Sequence, residues 1–505
     1  MATMNRAYLR RFAIALTVLA LTASPGSAQR GGDKPAGETR AAQSGVLSLL
    51  PADSVTQHAA DARGETLKYT AKAGTLALFD QSGEKSGAIF YTAYTLNGAA
   101  AASRPVTFVF NGGPGASSAY LHLGLAGPRV VDFGTPPNGA NAKLVGNPDT
   151  WLKFTDLVMI DPIGTGWSRA AKADGASGFW GVRQDAQVLA KAVALYVADN
   201  GRAASPKFLL GESYGGFRAV KVARALQQEQ GIVISGIVMV SPFLDGPLHG
   251  ANRYALGAAL QLPSLAAAEL DRRGRFSDEA LRAAERFAMT DYLVTLAGPP
   301  PRGEAAQKFY ARVAAISGLP LDVVTRTRGF IRDAYVKHAR GEQQEIVSPY
   351  DAAAGAPDPY PESSTADGDD PVLDGYLQAL GGAFVAYARD ELGFKTDMTF
   401  HLLNREVSGR WDWGGGGRAQ ASVTRDLRVL LALNPSLRVL IAHGRSDIVT
   451  PYGVSRYVLD HLPPIGGEGR TGLKIYQGGH MFYFIPAARA AFADEARAFY
   501  QRTVE

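Results

Sequence analysis

Lys207-Phe208-Leu209-Leu210-Gly211-Glu212-Ser213-Tyr214-Gly215-Gly216 is the stretch whose reading decides the fold. An apolar run comes first, and a helix-like segment, residues 217–230, comes after. Strand, sharp turn and helix follow one another, with a serine at the apex beside glycines. A backbone that tight needs glycines where a Cβ would clash. The turn lifts the serine hydroxyl out of the sheet, where a substrate can reach it. This is the nucleophile-elbow pattern Gly-x-Ser-x-Gly. The bare pattern recurs by chance in many chains, and the flanking strand and helix give it weight. It sets a demand on the rest of the sequence: a base, an acid and an oxyanion hole must lie in suitable places.

Working outward, short and continuously apolar runs occur at 106–110, 157–160, 208–210, 237–240, 438–442 and 473–476, each ended by turn residues. Helical segments, 183–200 and 217–230 among them, lie between several of these runs. Apolar strands alternating with helices predict a mostly parallel central sheet with helices on both faces. Upstream, residues 67–71, 75–79 and 88–94 read as strands broken by Gly-rich turns, an antiparallel entry into the sheet. From 247 to 396 the chain turns Ala-rich, with helices predicted at 264–273, 277–297 and 305–316 and a Pro/Asp/Ser/Gly-dense loop at 348–370. That region reads as a mainly helical cap insertion. Trp411-Asp412-Trp413, followed by glycines 414–417, reads as an exposed loop, either lining a pocket or forming a turn anchored by its tryptophans.

The chain has 505 residues, 46% of them hydrophobic, enough for a large core. Its net charge is +5 and dispersed, without a Lys/Arg-rich block, which argues against a nucleic-acid partner. Arg6, Arg10 and Arg11, the apolar run 12–21 and the small residues before Gln29 form a secretory signal over 1–28. The apolar run falls short of the ~20 residues a membrane span needs, so cleavage without stable membrane insertion is expected. A secreted product, periplasmic or extracellular, follows. Residues 29–50 read as a disordered lead-in. The core then occupies 51–246 and 397–505, on either side of the cap. Cysteine is absent, which excludes disulfides and thiolate chemistry.

Ser213 needs a base to accept its proton. Of the eight histidines, His480 stands in Gln477-Gly478-Gly479-His480-Met481, directly after the last apolar strand. The glycines leave room for its imidazole to swing over the serine. His443, at a strand tip, is a weaker rival. Asp447 lies in the loop after strand 438–442, where ligand sites of open α/β sheets form. The chain order Ser213, Asp447, His480 is that of an α/β-hydrolase. Asn111-Gly112-Gly113-Pro114-Gly115 follows strand 106–110, and its glycines let backbone N–H groups approach a developing oxyanion. The elbow adds the N–H of Tyr214.

These residues together resemble the serine carboxypeptidase family. The resemblance rests on 111–118, on Gly211-Glu212-Ser213-Tyr214-Gly215-Gly216 and on Gly478-Gly479-His480-Met481, with 147–151 and 161–168 between. It implies an α/β-hydrolase fold, Ser213 as nucleophile, Asp447 as acid and His480 as base. It implies an oxyanion hole on Gly113 and Tyr214, and Asn111 and Glu212 as ligands of a substrate's C-terminal carboxylate. No cofactor or metal is implied, and the partners are peptides with a free C-terminus. A carboxyl beside a substrate carboxylate binds only when one of the two is protonated, so acidic pH should favour peptide cleavage. Two departures stand out. The family's usual cysteine is Ala116, and the position of its frequent second glutamate, counted from Ser118 to Gly127-Pro128, is Leu125. An esterase or acyltransferase on the same triad therefore stays open, as does a non-catalytic binding protein on this fold.

Overall fold

The uninterrupted apolar runs become the centre of a sheet. The computed structural model describes residues 45–504. The expected export signal, 1–28, lies outside the described residues, as does the lead-in up to residue 44. The last part of that lead-in forms a single 3-10 turn, Val46–Leu49, with Leu47 buried. The strands begin with β1 (Ser54–Ala62), β2 (Glu65–Phe79), β3 (Lys85–Leu96), β4 (Val106–Phe110), β5 (Arg129–Asp132), β6 (Lys143–Gly146), β7 (Asp156–Ile160) and β8 (Arg169–Ala170). They continue with β9 (Lys207–Glu212), β10 (Gly236–Val240), β11 (Glu345–Ser348), β12 (Asp351–Pro357), β13 (Arg438–Gly444) and β14 (Thr471–Tyr476).

The main sheet runs β1-β2-β3-β7-β4-β9-β10-β13-β14, with β8 paired to β3. From β7 to β14 every pairing is parallel, and from β1 to β7 every pairing is antiparallel. This is the expected α/β-hydrolase sheet with its antiparallel entry. Every residue of β4, β7, β9 and β10 is buried, as strands covered on both faces must be. Side chains alternate across the sheet. Phe208, Leu210, Val238 and Val240 join one core with Tyr120, Trp151, Tyr483 and Tyr500. Leu209, Ile237 and Met239 join another with Val193, Tyr214, Phe217 and Trp411. The helices predicted at 183–200 and 217–230 are found as Val182–Asp199 and Tyr214–Glu229.

Three expectations need correction. The strands predicted at 67–71 and 75–79 are one long strand, β2, because Gly74 does not turn the chain. It makes room instead: a Cβ there would stand 2.4 Å from the Asp53 carboxylate, which accepts the Thr75 N–H at 3.1 Å. The first predicted cap helix starts earlier and runs Ala255–Arg272 with Pro263 inside it. The predicted loop 348–370 contains β12, antiparallel to β11. Between 247 and 396 the secondary structure is otherwise mainly helical; Leu265, Tyr292, Phe309, Val313 and Tyr335 cluster together with Ile448, while Val372, Leu380, Phe384 and Tyr387 join the core of the sheet. Among the described residues, no helix is long and apolar enough to cross a membrane.

Candidate active site

Ser213 joins β9 to the helix Tyr214–Glu229 with φ 58° and ψ −125°. A positive φ is uncommon for a residue with a Cβ and persists only where the surroundings enforce it. Here close backbone packing enforces it. A Cβ on Gly211 would lie 2.0 Å from Gly215 O, and one on Gly112 would lie 2.6 Å from Glu212 O and 2.7 Å from Tyr214 N. Glycine at both places lets the loop after β4 press backbone to backbone on the elbow. That sets Gly112, the neighbour of Gly113, against the backbone of Tyr214 and the Cβ of Ser213. The Ser213 N–H donates to Val240 O at 2.9 Å, tying the nucleophile to the end of β10.

His480 and Asp447 arrive from the ends of β14 and β13. His480 Nδ1 stands 2.8 Å from Asp447 Oδ2, with both side chains buried. Thr450 Oγ1 lies 2.8 Å from the same oxygen and 3.0 Å from Nδ1. Asp447 Oδ1 accepts the N–H groups of Val449 at 2.8 Å and Thr450 at 3.0 Å, which fixes the carboxylate plane. Burial works against a charged imidazole, but the field and hydrogen bond of Asp447, with Glu212 adding to them, hold the His480 pKa above its ordinary value. An arrangement of that kind stabilises the imidazolium that forms when a base takes a serine proton. No hydrogen bond among the described residues joins Ser213 Oγ to His480, and such bonds commonly tighten only around substrate. His443 is buried in β13 against Ser455 Oγ at 2.8 Å, and burial pushes its pKa down to about 3.

The β11–β12 hairpin clamps these loops. The His480 N–H donates to Tyr350 O at 2.5 Å, Ile448 N–H to Pro349 O at 3.1 Å and Ser446 Oγ to Asp351 Oδ1 at 2.6 Å. The Tyr350 ring stands edge-on to His480 at 5.3 Å.

Glu212 is buried, with Tyr483 Oη donating to its carboxylate at 3.0 Å and Asn111 Nδ2 donating to Oε2. Asn111 Oδ1 accepts the Leu121 N–H at 3.0 Å, so the amide is turned with its NH2 toward Glu212. Burial raises the Glu212 pKa to about 7, against the lowering influence of His480 and of the two hydrogen bonds. Beneath them, Arg218 pairs with Asp185 at 2.7 Å, donates to Asn111 O and stacks 4.9 Å from the Tyr214 ring. Leu125 is fully buried and supplies no polar atom. The hydroxyl of Tyr120 is buried and has no hydrogen-bond partner among the described residues. Its pKa is raised by burial first and by Glu212 next. Sequence reading missed Tyr120, Tyr483, Thr450 and Tyr350. The available signal was proximity in sequence: Tyr483 follows His480 by one turn, and Thr450 follows Asp447.

The Trp loop is exposed at Asp412 and at residues 414–417, as expected, and its two tryptophans anchor it. Trp411 is buried, and Trp411 and Trp413 each stand edge-on to Tyr214 at 5.2 Å. The pairing of Gly181 with Asp412 holds the loop in place.

Residues 65–258 match the family model described as serine carboxypeptidase. Among solved structures, the chain is similar to a prohormone-processing carboxypeptidase of Saccharomyces cerevisiae, Kex1Δp, at 15% identity and a TM-score of 0.55, covering 86% of this chain and 91% of that one. A soluble variant of monoglyceride lipase from the same yeast matches at 12% identity and a TM-score of 0.38, covering 84% and 94%. The yeast peroxisomal α/β-hydrolase Lpx1 matches at 10% and 0.39, covering 86% and 90%. Comparison with curated proteins found no match.

Proposed function

We propose, from the match of residues 65–258 to the serine carboxypeptidase family model, that this chain releases C-terminal residues from peptides with Ser213 as nucleophile. Ser213 Oγ attacks the last peptide carbonyl while His480 Nε2 takes its proton. Asp447 orients the imidazole and balances its charge. The oxyanion is met by the N–H groups of Gly113 and Tyr214. His480 then protonates the departing amino acid, leaving an acyl-Ser213 ester. Water, deprotonated by the same histidine, releases the shortened peptide.

The observation that carries this reading is the buried Glu212, one residue before the nucleophile and held by Asn111 and Tyr483. With its pKa raised to about 7, Glu212 is protonated at mildly acidic pH and donates to the substrate's C-terminal carboxylate. Above that pH it ionises and repels the same group, which supports an acidic preference for peptides. The test compares a blocked dipeptide with its C-terminal amide. The free acid should be cleaved far faster at pH 6, and equal rates would sink the reading.

Leu125 favours a second reading on the same triad, an esterase or acyltransferase, because an apolar residue there leaves the carboxylate-reading set smaller. Esters without a carboxylate would then outpace free acids at every pH. We read residues 1–28 as an export signal and 247–396 as the cap. A mature N-terminus at Gln29, found by mass spectrometry of exported protein, is the expected result.

A further inference from the structure

Among the described residues, Arg418 is a cation without a counter-charge beside the rings that flank the nucleophile. It sits on the short turn Arg418–Gln420, after the glycine run that follows Trp413. Its guanidinium stacks 5.3 Å from the Phe243 ring and 5.8 Å from the Trp413 ring. Phe243 is bonded to the nucleophile, its N–H donating to Ser213 O at 3.1 Å, and Trp413 flanks Tyr214. Tyr350, which packs edge-on to His480, feels the Arg418 charge. The side chain is open to solvent, yet protein atoms around it lower its pKa, as for a group in a concavity.

No carboxylate among the described residues pairs with Arg418: Asp245, next to the Gly246 that packs on the Arg418 carbonyl, accepts from Ser422 and Thr424, and the acids whose charges reach Tyr350 are engaged too. Asp447 serves His480, Asp374 pairs with Arg405, and Asp370 accepts from Ser348 and from the N–H groups of Val372 and Leu373. The other basic side chains felt there are Arg332, and His249, whose pKa burial lowers to about 4. The local field is positive and unsatisfied.

Its side of the serine follows from the sheet. Tyr120 and Tyr483, which flank Glu212, belong to one core, while Tyr214 and Phe243 belong to the core on the other face. If the C-terminal residue lies toward Glu212, the acyl residue lies toward Tyr214, Phe243 and Trp413. We propose that Arg418 makes the acyl pocket select an acidic side chain on the penultimate residue of the substrate. This rests on the carboxypeptidase reading for the identity of the acyl residue. An aromatic floor with a guanidinium at its rim suits glutamate: methylenes on the rings, carboxylate on the fork.

The test uses N-blocked dipeptides sharing a C-terminal leucine, with glutamate, glutamine or lysine before it. Wild-type kcat/KM should favour glutamate over glutamine by about fivefold, the upper end expected of an exposed charge pair, and disfavour lysine. Arg418→Met should bring the glutamate-to-glutamine ratio to about one, Arg418→Lys should keep most of it, and Arg418→Glu should favour lysine. Fluorophosphonate labelling of Ser213 confirms that each variant is folded. An unchanged ratio in labelled Arg418→Met overturns the proposal. The same acyl residues as esters of a simple alcohol separate the two readings. An Arg418-dependent glutamate preference on esters, with no release from the dipeptides, keeps the role of Arg418 and removes the carboxypeptidase reading.

Discussion

The two sides of Ser213 are finished in opposite ways. Toward Glu212, the groups that would meet substrate are buried and bonded to one another: Asn111 and Tyr483 to Glu212, with the Tyr120 hydroxyl beside them. Toward Tyr214, the wall is made of rings, and Arg418 beside them is open to water and, among the described residues, unpaired with any carboxylate. A C-terminal carboxylate is the same in every peptide, so a rigid, dehydrated reader suits it, and low dielectric makes each hydrogen bond there count for more. Side chains differ between substrates, so an open wall with one adjustable charge suits them. On the proposed reading, one serine would serve a constant group on one side and a variable group on the other.

The reference for any test of that contrast is a change that affects both sides equally. Ser213→Ala should lower kcat by about 10⁶-fold on free acids, amides and esters alike, and Asp447→Asn by about 10⁴-fold. Single-turnover product analysis is the measurement. A triad variant that retained activity on one substrate class would mean that the two sides do not share a nucleophile.

The next effect should be confined to the Glu212 side. In the wild type, the ratio of kcat/KM for a free acid to that for its amide should fall as pH rises through about 7, the value to which burial brings Glu212. The sign follows from charge: the protonated carboxyl donates, and the ionised one repels. The fall should approach about tenfold per pH unit beyond the midpoint. His480 titration affects numerator and denominator together and cancels. Glu212→Gln donates at every pH, so its ratio should be flat. A wild-type ratio independent of pH would remove Glu212 from carboxylate reading.

The Tyr214 side should answer differently. Trp413→Ala removes a ring that packs on Tyr214 and carries Arg418. It should cost about tenfold in kcat/KM for a large apolar acyl residue and little for glycine, the size of one lost aromatic contact. The acid-to-amide ratio should stay put. Loss of that ratio in Trp413→Ala would show that the two sides are coupled.

The sequence reveals one side of this contrast better than the other. The elbow, the loop after β4 and the loops holding Asp447 and His480 are legible because each follows a short, largely apolar strand, and parallel sheets gather such loops at one edge. Gly112 and Gly211 are legible for the same local reason. The partners are not. Tyr483 meets Glu212 across a separation of 271 residues, and nothing local marks the contact. β12, Asp351–Pro357, is mostly alanine and glycine, with weak strand propensity. It is a strand because β11 pairs with it and the triad loops bind its start. That Trp411 anchors the glycine-rich loop is legible, but its partner Tyr214, against which it is buried, is not.

The smallest expected effect tests how the buried side is tuned. The Tyr483 hydroxyl donates to Glu212 and thereby lowers its pKa against the larger effect of burial. Tyr483→Phe removes the donor and leaves the ring. The carboxyl should then hold its proton to higher pH, moving the midpoint of the acid-to-amide ratio upward by about one unit, the equivalent of one hydrogen bond to a charged acceptor. Below pH 6, where Glu212 is protonated in both proteins, the ratios should nearly coincide. A merely structural role for Tyr483 predicts something else, a loss of activity on all substrates with no movement of the midpoint. A midpoint that moved downward would mean that Tyr483 stabilises the protonated carboxyl instead, reversing the direction of its hydrogen bond.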